Sequence, residues 1–272
     1  MSQLDTAREE LAALCHSLGD PAHDFAILGE GNAGVVVDGI QLVTASGSRF
    51  TAVTASDMVA LDRGALVEAL DGSPEGDRGD DEADDHDREA DAAWSAAVAR
   101  TVTETTGGVA TIEAALHAIG SLVTGSAWTA HSHPVAVTGI LSSDAGRRFA
   151  EGPLFPDQIV MSGPSACYIP YTDPGLPLAR AFRAALHDYH ARVGQWPQLV
   201  LLANHGMVAL GASANEVFEI TQMTDKAARI YLVAATAGTP VPLSAEAVRR
   251  IDTRSDEHYR RRALHGVNGE ET

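Results

Sequence analysis

Short apolar segments of strand length alternate along the chain with longer amphipathic segments of helical period, and no stretch of sequence repeats. An apolar strand and the apolar side of a helix must each be buried against another element, so this alternation predicts a layered α/β fold. Apolar residues make up 45% of the 272 residues, which is enough for a sizeable core. We therefore expect one α/β domain.

The individual segments are assigned from their period and their flanking residues. Residues 35–37 and 40–43 are apolar and flank Asp38-Gly39, a pair typical of the type I′ turn of a β-hairpin. An apolar strand is also predicted over 199–203, and a strand region followed by a loop over 127–141. Helical period predicts helices over 4–18, 55–70 (with Ser56 as its N-cap), 111–121, 177–193, 215–235 and 244–263.

The acidic residues are distributed unevenly. The chain has 37 Asp and Glu against 19 Lys and Arg, a formal charge of −18, and 11 of the acidic but 2 of the basic residues lie between Asp71 and Asp91. Such a segment buries too little apolar surface to offset its ordering entropy, so we expect an exposed loop or disordered insertion at 71–91 within a single domain over 1–272. The overall charge argues against nucleic acid and anionic membranes as partners, since both bind clustered Lys and Arg.

The sequence also bears on compartment and on one class of chemistry. No apolar run approaches the roughly 20 residues of a membrane span, and no signal-peptide pattern is visible, so we expect a soluble cytoplasmic protein. Cys15 and Cys167 are too few for a disulfide framework and are expected to be buried. Lys226 is the single lysine, which nearly excludes chemistry through a lysine Schiff base.

Three histidines are candidate metal ligands. His131 and His133 are two residues apart, so on a strand both imidazoles project from the same face and can reach one ion. His205 directly follows the apolar run at 199–203 and precedes Gly206. Neutral imidazole is the commonest ligand of zinc and similar ions, and three histidines leave a coordination position open, as in catalytic zinc sites. For His131 and His133 alone, a structural pair is the alternative.

Glu113 lies near the start of the helix predicted over 111–121. Beside a metal, its carboxylate could serve as a fourth ligand or as a general acid/base. The alternative is a first-turn glutamate that the helix dipole favours, and the spacing by itself favours that alternative. His117, four residues further on, shares the helix face of Glu113 and is interpreted as structural support.

Two loops rich in small residues flank the predicted hairpin. Residues 29–34, Gly-Glu-Gly-Asn-Ala-Gly, precede its first strand, and residues 44–48, Thr-Ala-Ser-Gly-Ser, follow its second, so the hairpin brings them together. Glycine lets backbone N–H groups approach an anion, and Asn, Ser and Thr add donors. The loops therefore predict a cradle for a phosphate or carboxylate, to which Arg49 could add a charge. Ordinary turns are the alternative.

Taken together, these segments resemble the class II aldolase/adducin family, over most of the chain from Gly29 to near Ala235 apart from the acidic insertion. The stretch from Tyr168 to Gly175 looks like the branch that includes rhamnulose-phosphate-aldolase-like domains, and the chain as a whole looks most like rhamnulose-phosphate-aldolase-like and fuculose-phosphate-aldolase-like members. The matching pieces are Gly31-Asn32, Thr44-Ala45-Ser46-Gly47, Glu113 ahead of Leu116-His117, His131-Ser132-His133-Pro134, and Leu202-Ala203-Asn204-His205-Gly206-Met207-Val208 leading to Gly211.

The resemblance implies a single three-layer αβα domain around a mixed, largely antiparallel sheet, and usually a homotetramer with sites between subunits. It implies a divalent metal ion, typically zinc, and it places Glu113 beside that ion as the catalytic acid/base. The metal ligands that it implies are His131, His133 and His205. Around the phosphate of a sugar-phosphate substrate it places Asn32, Ser46 and Gly47, with backbone donors near Gly31.

Two departures from the family pattern bear on the substrate. Family members often carry Ser-Ser before the glutamate, where this chain has Thr111-Ile112. Ile112 has no side-chain donor for a phosphate, so the anion site is altered or the substrate differs. Family members also often have a serine shortly after Gly-Asn, where this chain has Ala33-Gly34. A second acid/base, often a tyrosine of a neighbouring subunit, is expected from among Tyr168, Tyr171, Tyr231 and Tyr259.

The implied chemistry is metal-dependent aldol cleavage of a phosphorylated ketose, a carbon–carbon lyase reaction. Cleavage leaves an enediolate, and without a lysine Schiff base a Lewis acid must stabilise its charge. One alternative keeps the metal site but performs 4-epimerisation of a pentulose phosphate or dehydration of a sugar phosphate. The other is a non-enzymatic, adducin-like binding module, against which the three histidines and Glu113 argue.

Overall fold

A mixed sheet of eight strands organises the residues that the computed structural model describes: 2–73, 83–105 and 108–256, with only the backbone of 83–87. The strands are β1 (Asn32–Val37), β2 (Ile40–Thr44), β3 (Met58–Asp62), β4 (Val102–Thr105), β5 (Trp128–Ser132), β6 (Cys167–Ile169), β7 (Leu199–Leu202) and β8 (Gly206–Gly211). Their order is β4-β3-β2-β1-β5-β8-β7-β6, and only β6 and β7 pair in parallel. The expected mixed, largely antiparallel sheet is confirmed.

Helices cover both faces of this sheet. The helices are α1 (Gln3–Leu18), α2 (Arg63–Gly72), α3 (Ala83–Arg100), α4 (Ala114–Thr124), α5 (Val135–Leu141), α6 (Gly146–Glu151), α7 (Pro156–Ser162), α8 (Leu176–Val193), α9 (Ala214–Ala237) and α10 (Ala245–Asp252). Side chains alternate along a strand, so Leu42 enters a core with α1, α5 and α9 while Val43 enters another with α2, α4 and α8. The three-layer α/β architecture follows.

The β1–β2 hairpin forms as predicted and sets the position of the site. Asp38 and Gly39 have φ values of 50° and 82°, the left-handed values that a type I′ turn requires at both central positions. Strand β1 also pairs with β5, and this pairing places Asn32 directly opposite His131. Strand β8 pairs with the other edge of β5. The centre of the sheet therefore collects residues that are about a hundred positions apart in the chain.

The strand at 199–203 and the helices at 4–18, 177–193 and 215–235 are confirmed to within a few residues. The helix predicted over 55–70 is wrong in its first half, where Ala55–Asp57 form a 3-10 turn and Met58–Asp62 form β3. The apolar part of β3 is buried between β2 and β4, and this pairing outweighs its helical pattern. Asp62, not Ser56, caps α2 by accepting from the Ala65 N–H at 3.0 Å.

Three further expectations need correction. Residues 135–141, expected to be loop after the strand, form α5. The helix expected at 111–121 begins at Ala114, so Glu113 occupies its N-cap position instead of its first turn. Of the helix expected over 244–263, the structure describes α10, and the residues after 256 lie outside the described part.

The acidic segment at 71–91 is helical at both of its described ends. Asp71 and Gly72 complete α2, and residues 83–91 form the first half of α3, so the expectation of an irregular segment is wrong there. The described side chains at 88–91 are exposed, in line with their polarity, whereas Trp94 further along α3 is 1% exposed. Residues 74–82 lie outside the described part.

Cys15 and Cys167 are both buried, as expected. Burial raises the pKa of the Cys167 thiol to about 12, which keeps it protonated and unreactive. None of the described helices is long and apolar enough to cross a membrane.

Candidate metal centre and active site

The three candidate histidines come together at the ends of the central strands. His131 lies in β5, His133 follows the end of β5, and His205 lies in the turn that joins β7 to β8. That turn approaches the histidine pair so closely that a Cβ on Gly206 would lie 2.5 Å from the Ser132 carbonyl oxygen and 2.6 Å from the His133 ring. Gly206 is therefore required for the three imidazoles to meet.

The imidazole nitrogens that meet are the Nε2 atoms. His131 Nε2 lies 2.8 Å from His133 Nε2 and 3.2 Å from His205 Nε2. His131 is fully buried, and the other two are partly exposed. Burial is the main cause that lowers the pKa of all three, and it brings the pKa of His133 to about 4. The neutral imidazole, which is the metal-binding form, is therefore favoured at neutral pH.

The donor set fits a divalent cation. His131 Nδ1 lies 2.9 Å from the Met207 carbonyl oxygen, and His133 Nδ1 lies 3.3 Å from a Glu30 carboxylate oxygen. Carbonyl and carboxylate oxygens accept, so each neutral ring carries its proton on Nδ1 and directs the lone pair of Nε2 towards the other ring. Two lone pairs 2.8 Å apart repel each other unless a cation lies with them. These three histidines could therefore hold a metal ion.

Glu113, the N-cap residue of α4, lies next to the three histidines. Its two carboxylate oxygens lie 3.5 Å from His131 Nε2 and 3.4 Å from His205 Nε2, and 11% of its side chain is exposed. Burial is the largest influence on its pKa and raises it, but the charges of the histidines and the hydrogen bond from Asn32 together lower the pKa below its usual value. An ionised carboxylate at this position can bind a metal ion or accept a proton.

Asn32 is a buried link between Glu113 and His117. Its Nδ2 donates to Glu113 Oε2 at 2.8 Å, and its Oδ1 lies 2.6 Å from His117 Nε2. His117 is fully buried, and burial is the main cause that lowers its pKa to about 3, so its ring is neutral. Both polar atoms of the Asn32 side chain therefore have partners within the protein, although the second N–H of the amide could still reach a substrate.

The two predicted loops lie next to each other. A Cβ on Gly29 would lie 3.8 Å from the Gly47 carbonyl oxygen, and one on Gly31 would lie 2.8 Å from the His131 carbonyl oxygen. Ser46 and Gly47 are exposed and form the centre of a turn. In this turn the Ser48 N–H donates to the Ala45 carbonyl oxygen at 3.2 Å. The Ser46 N–H donates to the Val109 carbonyl at 2.7 Å, so the backbone donor of Ser46 is already used within the protein.

The sequence did not indicate two groups that hold the histidines. Glu30 faces His133 and lies between two glycines in the first loop. An acidic residue in a loop predicted to lie near the metal site could have been recognised as a candidate partner of a ligand. The Met207 carbonyl, which faces His131, has no counterpart in the sequence pattern, because any residue supplies the same oxygen. Arg49 directly follows the second loop and is exposed.

Solved structures share this fold. An L-fuculose 1-phosphate aldolase is 20% identical, with coverage of 93% of this chain and 96% of that one and a TM-score of 0.66. YgbL of Escherichia coli, described as a candidate aldolase/epimerase/decarboxylase, is 16% identical, with coverage of 93% and 100% and a TM-score of 0.66. The L-fuculose-1-phosphate aldolase of Thermus thermophilus is 16% identical, with coverage of 88% and 100% and a TM-score of 0.57. No curated protein matches the chain in sequence.

The fold and the site together define a class: a three-layer α/β protein in which three histidines and a carboxylate meet at the centre of a mixed sheet. The model of the class II aldolase and adducin N-terminal domain family matches residues 9–232. The chain belongs to this family. Membership indicates that the protein is an enzyme of the class II aldolase type. Enzymes of this class use a divalent metal ion and sugar-phosphate substrates.

Proposed function

We propose that the protein is a divalent-metal-dependent aldolase that cleaves a carbon–carbon bond of a phosphorylated ketose. The observation that carries the proposal is the meeting of three imidazole Nε2 atoms with the Glu113 carboxylate, whose oxygens lie 3.4 and 3.5 Å from two of them. In this assignment the metal ligands are His131, His133 and His205. The proposed ion is zinc, which binds imidazole in sites that keep one position open.

Glu113 is assigned the proton transfer at the reacting carbon. When bound, the metal ion supplies Lewis acidity that stabilises the negative charge of an enediolate. The lowered pKa of Glu113 keeps its carboxylate ionised and able to take a proton. Lys226, the single lysine, lies on α9 with its ammonium 5.4 Å from the centre of the Phe155 ring, which supports a reaction that forms no Schiff base.

The substrate phosphate is assigned to the two adjacent loops. Gly31 would contribute its backbone to the phosphate site, near the proposed metal ligands. Asn32 would contribute the side-chain N–H that does not bond Glu113. Ser46 would contribute its hydroxyl and Gly47 its exposed backbone. Ile112, which precedes Glu113 and is 44% exposed, offers no donor, so these loops would provide most of the hydrogen bonds to the anion.

We also propose a homotetramer in which sites lie between subunits. Apolar side chains are exposed in the segments around His133, with Ile27 46%, Leu28 78% and Val135 56% exposed, and a neighbouring subunit would cover them. Of the four candidate tyrosines, Tyr259 lies outside the described residues. Tyr231 packs against Phe149, and Tyr168 lies under the Arg147 guanidinium at 4.8 Å, whereas Tyr171 is 59% exposed, so Tyr171 is assigned as the second acid/base. Light scattering should give the mass of four chains, and a monomer would contradict this arrangement.

Metal content tests the site. Purified protein should hold one divalent ion per chain by elemental analysis, and His131→Ala should lose it because one of three ligands is gone. His187→Ala, at an exposed position on α8, is the matched control and should keep the ion. Equal metal content in the two variants would contradict the assigned ligands.

The role of Glu113 is tested by Glu113→Gln, which keeps the shape of the side chain and removes the proton-accepting group. This variant should bind the metal and lose turnover by about 10²–10⁴-fold. Glu68→Gln makes the same chemical change at an exposed position on α2 and should leave turnover unchanged. Full activity of Glu113→Gln would exclude the proposed role.

Product identity tests the reaction. Metal-loaded protein is incubated with a panel of ketose and pentulose phosphates, and the products are analysed for dihydroxyacetone phosphate, glycolaldehyde-type fragments and epimers. Fragments from cleavage are expected. An epimer without cleavage, loss of water from the sugar phosphate, or no reaction at all would each replace the aldolase assignment, by an epimerase, a dehydratase or a binding module respectively.

A further inference from the structure

A chain of short hydrogen bonds runs from the interior of the sheet to Glu113. Thr129 Oγ1 on β5 lies 2.5 Å from His117 Nδ1, and His117 Nε2 lies 2.6 Å from Asn32 Oδ1. Asn32 Nδ2 then donates to Glu113 Oε2 at 2.8 Å. Thr129 and His117 are at most 1% exposed, and Asn32 is 6% exposed. This series of hydrogen bonds thus links α4, β1 and β5, and it ends at the Glu113 carboxylate, to which proton transfer is assigned.

The direction of each hydrogen bond is fixed by the carboxylate. An ionised carboxylate only accepts, so the NH₂ group of Asn32 must face Glu113 and its Oδ1 must face His117. His117 must then donate from Nε2, which leaves a lone pair on Nδ1 to accept from the Thr129 hydroxyl. The Thr129 hydroxyl also lies 3.3 Å from the Gly34 carbonyl oxygen, but His117 Nδ1 at 2.5 Å is the closer acceptor. With this choice, a single neutral tautomer of His117 satisfies every hydrogen bond from Thr129 to Glu113.

The backbone around the ring is shaped to admit this imidazole. A Cβ on Gly34 would lie 3.1 Å from His117 Cγ, and it would also lie 2.8 Å from Gln41 Nε2 and 2.9 Å from the Leu42 carbonyl oxygen. Contacts of that length are tighter than side chains normally tolerate, so position 34 must be glycine, chiefly because of Gln41 and the Leu42 carbonyl and in part because of the His117 ring. Gly34 belongs to Ala33-Gly34, one of the two pairs at which the sequence departs from the family pattern.

We propose that His117 is a positioning residue for Glu113 and acts through the amide of Asn32. The inference rests on the proposed function, since it concerns how the proton-transferring carboxylate is held. A donor on His117 prevents the Asn32 amide from turning by 180°, which would set its oxygen against the Glu113 carboxylate. The hydrogen bond to Oε2 then holds the carboxylate in one orientation relative to the histidines.

Kinetics of two variants at His117 test the proposal. His117→Leu removes the donor, whereas His117→Gln keeps an N–H at the position of Nε2. His117→Leu should lower kcat by about tenfold to a hundredfold with unchanged metal content and KM, because a small misplacement of a catalytic group has effects of that size. His117→Gln should recover most of kcat. An equal loss of kcat in both variants would overturn the proposal.

A milder variant covers the case in which His117→Leu does not fold. Thr129→Val removes the hydroxyl that donates to His117 Nδ1, together with its longer 3.3 Å contact with the Gly34 carbonyl oxygen, and it keeps the shape of the side chain on β5. It should lower kcat while KM and metal content stay unchanged. A kcat equal to that of the wild-type protein would overturn the proposal.

A spectroscopic measurement separates this inference from the proposed function, because it needs no turnover. Nitrogen-15 NMR of protein labelled at histidine, with the His117 signal identified by its loss in His117→Gln, reports which ring nitrogen carries the proton. A neutral ring with its proton on Nε2 is expected, whether or not the protein cleaves a sugar phosphate. A proton on Nδ1, or a doubly protonated ring at neutral pH, would overturn the proposal.

Discussion

Two of the three candidate metal ligands, His131 and His133, are each oriented by a group at the other ring nitrogen. Glu30 fixes His133 through the 3.3 Å contact of its Oε2 with Nδ1, and its Oε1 accepts from the Ile27 N–H at 2.6 Å. The carboxylate therefore both orients the imidazole and shapes the loop that precedes β1. Its negative charge also makes the ring a stronger ligand.

Replacing Glu30 by Gln should weaken metal binding without unfolding the protein. Glutamine keeps an oxygen for the Ile27 N–H but removes the charge that orients His133, and losses of about 10–100-fold in metal affinity are typical of such changes. Affinity is measured by competition with a chelator, with Glu68→Gln as the control for loss of one negative charge. An affinity equal to that of the control would show that Glu30 has no role at the site.

The buried His117 should make the metal-free protein sensitive to acid. Its pKa is lowered to about 3 from an ordinary value of 6.5, mainly by burial, so below pH 6.5 the unfolded chain binds a proton that the folded chain does not. The free energy of unfolding therefore falls as pH decreases, by about 2 kcal/mol between pH 6.5 and 5 from this residue. Urea unfolding at both pH values should show a smaller decrease for His117→Gln. An identical decrease would contradict the assignment.

The sequence predicted the residues of the site better than their partners. His131 and His133 stand out by their spacing and His205 by its place after an apolar run, whereas Glu113 was placed beside them by the family resemblance. The partners of Asn32 were not predicted: His117 is 85 positions away and Glu113 is 81, and these contacts follow from the packing of α4 against β1. The role of a backbone carbonyl, such as that of Met207, cannot be predicted from the residue type, because every residue has the same carbonyl group.

At the scale of the elements, helices with a clear apolar stripe were predicted, whereas short buried elements were not. Met58-Val59-Ala60-Leu61 reads equally well as part of a helix, and its place as β3 is decided by β2 and β4 on either side. The short helices α6 and α7 have six and seven residues, too few for a period to show. Long-range pairing and element length thus explain the errors.

Helix α3 is coupled to the site through one side chain. Trp94 is 1% exposed, and its Nε1 donates to the Ile112 carbonyl oxygen at 3.2 Å, directly before Glu113. Trp94→Phe keeps most of the apolar contact but leaves this carbonyl without its donor, so the free energy of unfolding should fall by about 1–3 kcal/mol. Urea unfolding checks this, with Trp196→Phe at a half-buried position as the control. An equal change in the two variants would contradict a specific role for the hydrogen bond.

For the whole molecule, the sheet explains why residues from distant segments can form one centre. β1, β5 and β8 are adjacent in space, so Asn32, His131 and the turn that carries His205 meet at their ends. Glu113 reaches the same point from α4, which packs against β1 and β5. His131 thus lies on β5, which is paired on both sides, and His133 and His205 lie directly at the ends of paired strands, where local fluctuations are small.

The charge of −18 belongs to the molecule as a whole, yet half of it lies between Asp71 and Asp91. Within this segment, residues 74–82 contain five acidic and one basic residue. A Gly-Ser linker of the same length in place of 74–82 should leave metal content unchanged, since the candidate ligands lie elsewhere. It should also raise kcat/KM for a sugar phosphate at low salt by reducing repulsion, and the difference should vanish above about 0.1 M salt, where the screening length is about 10 Å. Loss of metal, or a lower kcat/KM at low salt, would show that these residues contribute to the site.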